Sequence, residues 1–117
     1  MKLITKEIGR KLDKQWSAEN PKPVLKLFFP LGHATWLIAA RDPRMEDRLY
    51  GLCDTGQGTP EIGTVLLSEI QSIAINGFRI ERDRHFETDL TLLECLELAR
   101  KAGSITAAEA LNMLGGE

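Results

Sequence analysis

A chain of 117 residues, 43% hydrophobic and 27% charged, is expected to fold as one soluble domain around one modest core. Its formal net charge of −2 argues against a dedicated nucleic-acid binder, and its two cysteines are too few for a disulfide scaffold. No apolar run reaches the roughly 18 residues of a membrane helix, and the opening MKLITKEIGRK is too charged for a signal peptide, so no membrane contact and a cytoplasmic location are expected. The charge is uneven: residues 1–58 carry ten Lys/Arg against seven Asp/Glu, and residues 59–117 carry five against ten. Two solvated faces account for such a split without invoking two partners.

Thr5 to Trp16 reads as a helix. Thr5 is a cap, and Ile4, Ile8, Leu12 and Trp16 recur every fourth residue as one apolar stripe. Lys6, Arg10, Lys11 and Lys14 lie mostly off that stripe and form the chain's basic patch. Asn20-Pro21-Lys22-Pro23 then interrupts the chain, because proline lacks a donor and extends the residue before it. Strands are expected at Val24–Phe29, Thr35–Ala40, Arg48–Asp54 and Ile62–Leu66. The run TWLIAA is apolar at almost every position, as a strand covered on both faces would be. The links between these strands are too short for parallel crossovers, so an antiparallel meander follows.

Ser68 and Gln71 stand at capping-box spacing and predict a short helical turn that ends at Asn76-Gly77. Arg79–Phe86 reads as a fifth, more exposed strand. Thr91 and Glu94 open a helix whose Leu92, Leu93, Cys95, Leu96, Leu98, Ala99 and Ala102 form a broad apolar arc, and Gly103 stops it. Thr106 and Glu109 repeat the capping spacing before AALNML. The fold class is therefore α+β: an antiparallel sheet of four to five strands, an N-terminal helix and two C-terminal helices.

The glycine-bearing stretch LCDTGQGTPEIG fails the tests for a phosphate cradle. Glu61 stands where a dinucleotide fingerprint needs its third glycine, no Gly-Lys-Ser/Thr follows, and Pro60 leads into a strand instead of a helix. It reads as a reversal between strands, with glycines at positive φ. Cys53 beside Asp54 makes a poor nucleophile, because a neighbouring carboxylate raises a thiol pKa. His33 reads as a turn histidine and Trp36 as core. The two C-terminal helices resemble the start of a helix-turn-helix but are acidic or apolar, so nucleic-acid contact is not expected.

The most chemically loaded stretch is IERDRHFE, residues 80–87. In an extended chain Glu81, Asp83, His85 and Glu87 share one face, a row of oxygen and imidazole groups that suits a metal. Arg82 and Arg84 on the other face could fork onto an anionic group. The plainer reading is a charged edge strand that resists edge-to-edge pairing and tolerates a protein partner. Glu81, Arg82, Asp83, Arg84 and His85 are accordingly the candidate interaction surface. No catalytic residue, metal ligand or cofactor is assigned.

Four segments in order, LITKEIGRKL, VLKLFFPLGHATWLIAARDP, LYGLCDTGQGTPEIGTVLLSEIQS and IERDRHFE, resemble a bacterial family known as domain of unknown function twenty-nine fifty-eight. The resemblance covers residues 2–88 and leaves 89–117 as a helical extension of the same single domain. It implies an accessory protein of plasmids and other mobile elements and brings no reaction with it. The expected function is a non-catalytic protein-binding module. Its partner would be another protein or itself, since Leu92, Leu93, Leu96, Leu111 and Leu114 exceed what one small sheet covers. The alternatives are an enzyme, metal-dependent or hydrolytic, built on Asp54, Glu81, Asp83 and His85, and a nucleic-acid accessory protein using Lys6, Arg10, Lys11 and Lys14.

Overall fold

The computed structural model describes residues 2–114; the two ends of the expected domain, 1 and 115–117, lie outside the described residues. Helix α1 spans Lys6–Lys14, and the Thr5 hydroxyl accepts from the Ile8 amide at 3.2 Å to cap it. Leu12 is the wholly buried residue of its stripe. Gly9 is also structural: a Cβ there would stand 2.7 Å from the Arg41 guanidinium, which lies across the helix and forks onto Asp13 at 2.8 and 2.9 Å. That hydrogen-bonded fork holds the Asp13 carboxyl below its ordinary pKa.

After α1, one side chain organises the proline break. The Gln15 amide donates to the Lys22 and Ala39 carbonyls at 2.8 Å each and accepts from the Lys22 amide at 3.1 Å. It thereby fastens an irregular segment to the sheet where proline leaves strand partners missing.

Strands β1 (Leu25–Phe28), β2 (Thr35–Asp42), β3 (Met45–Asp54) and β4 (Glu61–Leu66) form the expected antiparallel meander. After a five-residue helix α2 (Leu67–Gln71) and a separate hairpin of β5 (Ala74–Ile75) and β6 (Phe78–Arg79), β7 (Glu81–Arg82) returns to pair with β1. The sheet order is β4-β3-β2-β1-β7. Helices α3 (Leu92–Ala102) and α4 (Ile105–Ala110) complete an α+β fold.

The sheet is covered on both faces, which is why TWLIAA is apolar at every position but Thr35. On one face Leu25, Leu27, Trp36, Ile38 and Leu49 meet Leu3, Ile4, Leu12, Ile70 and Ile80. On the other, Leu37, Ala39 and Leu52 meet Leu92, Cys95, Leu96 and Ala99 of α3 and Ile105 and Ala108 of α4. In the middle of the sheet Gly51 permits a close approach: a Cβ there would lie 2.3 Å from the Leu37 carbonyl oxygen.

The Thr91–Glu94 capping box forms, and Gly103 closes α3 at φ 102°. Three expectations need correction. Helix α4 is capped by Ser104, whose hydroxyl accepts from Ala107, so Thr106 lies inside it. Ser68 does not cap α2; its amide and hydroxyl both donate to Asp47 of β3, at 2.8 and 2.6 Å. Asn76-Gly77 does not end a helix but turns the β5–β6 hairpin, with φ 53° and 83°. Positive φ at both turn residues is the signature of a type I′ two-residue hairpin turn.

Candidate interaction surface

The extended reading of 80–87 fails at one residue. β7 ends at Arg82, because the Asp83 carboxylate accepts from the His85 amide at 2.9 Å and bends the backbone. The expected row of Glu81, Asp83, His85 and Glu87 on one face is therefore not formed. Asp54 is further away still. It pairs with Thr35, Thr35 with Phe28 and Phe28 with Glu81. Three strand spacings put Asp54 about 14 Å across the sheet from Glu81.

Asp54 is fully buried and already engaged. One carboxylate oxygen accepts from Gly56 at 2.9 Å and the other from Ile105 at 2.8 Å. It pins the Thr55–Pro60 reversal to the start of α4. Gly56 and Gly58 sit at φ 88° and 83°, as a tight reversal needs, and the strand β4 follows. Among the described residues no three His, Cys, Asp or Glu side chains come together as metal ligands. Burial, with Glu61 and Glu94 adding to it, pushes the Cys53 and Cys95 thiols up to about 11. Neither supplies a thiolate near neutral pH.

The five residues of the candidate surface divide into two groups. The Arg82 guanidinium donates to the Lys2 and Leu3 carbonyls and staples the N-terminal segment to the sheet edge. Asp83 faces Lys26, whose ammonium lies 3.8 Å from it and 2.6 Å from Glu109 of α4. Lys26 also stands 5.6 Å from the Phe28 ring centroid, within cation–π range. Arg82 and Asp83 are thus structural. Glu81, Arg84 and His85 remain exposed. The recess beside His85, walled by Asp83, Glu87 and Glu109, has a volume of only 120 Å³. That is below the roughly 300 Å³ at which small-molecule sites begin.

The hairpin is the feature that sequence reasoning missed. All six residues from Ala74 to Arg79 are exposed, and Ile75 and Phe78 are cross-strand partners at 53% and 43% exposure. Their neighbours Ile73 and Ile80 pack into the core, and the Arg79 guanidinium donates to the Gln71 carbonyl at 2.8 Å. The base is anchored while an apolar pair projects from the tip. The available signal was Asn-Gly flanked by apolar residues, the strongest short-range mark of a hairpin.

Lys6, Arg10, Lys11 and Lys14 are all exposed on α1. Leu92, Leu96 and Leu114 are buried, whereas Leu93 and Leu111 are 55% and 66% exposed. Among the described residues no helix is long and apolar enough to cross a membrane.

No curated protein and no solved structure matches the chain. The sequence profile of one family matches residues 3–106, through the meander, the hairpin, β7 and α3, and by that match the chain belongs to the family described as protein of unknown function, DUF2958.

Proposed function

We propose that this chain is a non-catalytic protein-binding module, and that it serves a mobile element as an accessory protein. Its interaction surface is the β5–β6 hairpin tip together with the exposed Glu81, Arg84 and His85 that follow it along the chain. The observation that carries the reading is the projecting Ile75–Phe78 pair on a hairpin anchored at its base. An exposed apolar pair rimmed by charge suits the centre of a protein interface, where apolar anchors contribute most of the binding energy. The engaged state of Asp54 and the raised thiols of Cys53 and Cys95 support a non-catalytic role.

The test is affinity capture from a host carrying the parent element, with the native chain beside an Ile75→Ser/Phe78→Ser double variant. Both side chains are exposed, so the variant should melt within a few degrees of the native protein. It is expected to lose at least tenfold of the specifically captured protein, equivalent to about 1.4 kcal/mol. Equal capture by both proteins contradicts the hairpin assignment.

A further inference from the structure

The edge opposite β7 is built differently and carries an inference beyond the hairpin reading. β4 is six residues long, pairs with β3 without a register break from Glu61 to Leu66, and among the described residues has no strand on its outer side. Few of the usual defences of an edge are on it: it holds no lysine, no proline and no bulge, and its one charge, Glu61, stands at its first position. The next element, α2, is tied back to β3. The two Ser68 hydrogen bonds to Asp47 draw α2 inward toward β3, and Ile70 is buried in the core. A row of backbone donors and acceptors is left facing outward, flanked by the half-buried Ile62, Val65 and Leu66.

We propose that this edge pairs antiparallel with β4 of a second copy of the chain, joining the two sheets into one across a two-fold axis. The sequence of β4 is self-complementary for this. Around a two-fold perpendicular to the sheet, facing residues point to the same side only if their numbers have the same parity. Centred on Thr64, the strand sets Thr64 against Thr64 of the second copy. Ile62 then faces Leu66 of the second copy, and Gly63 faces its Val65. Threonine pairs and apolar pairs are favourable cross-strand neighbours. A branched side chain opposite glycine has room, since nothing lies within 4 Å of where a Gly63 Cβ would be. Glu61, the one charge on the strand, falls beyond the paired residues, so like charges do not meet. The pairing covers less than the roughly 800 Å² per partner of a standard interface, so the dimer is concentration-dependent.

Sedimentation velocity on the full chain, from about 10 μM to about 1 mM, tests this. The native protein is expected to move from one mass toward twice that mass. Thr64 is exposed, so Thr64→Asp leaves the monomer folded and sets two carboxylates face to face. Dissociation should strengthen at least tenfold. Thr64→Cys should give a covalent dimer under mild oxidation, whereas Glu81→Cys on the opposite edge should not. A native monomer at the highest concentration overturns the proposal and leaves the edge to a strand of another protein. A dimer that Thr64→Asp leaves intact and Thr64→Cys does not cross-link also overturns it, and points to the exposed Leu93 and Leu111 or to the hairpin.

Discussion

The two edges of the same sheet follow opposite rules. β7 offers only Glu81 and Arg82 to a neighbour before the Asp83 turn bends the backbone away, and Arg82, Asp83 and Arg84 crowd that short edge with charge. β4 offers six residues in unbroken register, with glycine at Gly63 and a charge only at its start. Short strands, charges and bends are the means by which proteins keep edges from pairing. Here they are concentrated on one side. On the proposal made above, the open edge is the one a second copy covers, because outward-facing backbone groups can be paired by an added antiparallel strand.

The contrast between the two edges holds only if the sheet between them is rigid, and Gly51 is where that rigidity is most vulnerable. Gly51→Ala would drive a methyl group into the Leu37 carbonyl, 2.3 Å away. Main chain on both sides prevents easy relief, so a loss of about 3 kcal/mol or more is expected. For a domain this size that lowers the melting temperature by roughly 12 °C. Both edges should melt together; a β4 that unravels alone, with β1–β3 and β7 intact, would break the comparison.

A smaller effect sharpens it. Asp54→Ala would leave the Gly56 and Ile105 amides without their acceptor. A cost of about 2 kcal/mol follows, seen as a fall in thermal stability. The loosened elements are the Thr55–Pro60 reversal, which leads into β4, and α4, which reaches the β7 side through Glu109 and Lys26. Faster amide exchange should therefore appear first at Gly56 and Ile105 and spread from there toward both edges. A stability change under about 0.5 kcal/mol would show that the buried carboxylate is not the tie inferred here.

Much of this architecture was legible in the sequence because it is set by local rules. Four short apolar runs with brief links leave only a meander, and the almost wholly apolar TWLIAA strand is in fact covered on both faces. The Thr91–Glu94 box and Gly103 fixed α3 by capping chemistry alone. What was not legible depends on contacts distant along the chain. Asp54 reads in sequence as a member of the alternative enzymatic set with Glu81, Asp83 and His85; its role appears only when Ile105, fifty-one positions on, is brought to it. Glu109 looked like part of a cap, but Lys26 draws it to the sheet. The eight-residue stretch at 80–87 alternated in charge, yet one Asp83 side chain bending back to His85 cancelled the alternation. Asn76-Gly77 carries a hairpin signal in the sequence, but the helical spacing before it competes with that signal and places the pair at a helix end.

The most direct test of the account compares the two edges in one experiment, by amide hydrogen exchange on dilute and concentrated protein. The outward-facing, alternate amides of Ile62–Leu66 should become at least tenfold better protected as concentration rises, while those of Glu81–Asp83 stay unchanged. If β4 exchanges at the same rate across the whole concentration range, or β7 is the edge that gains protection, the account is contradicted.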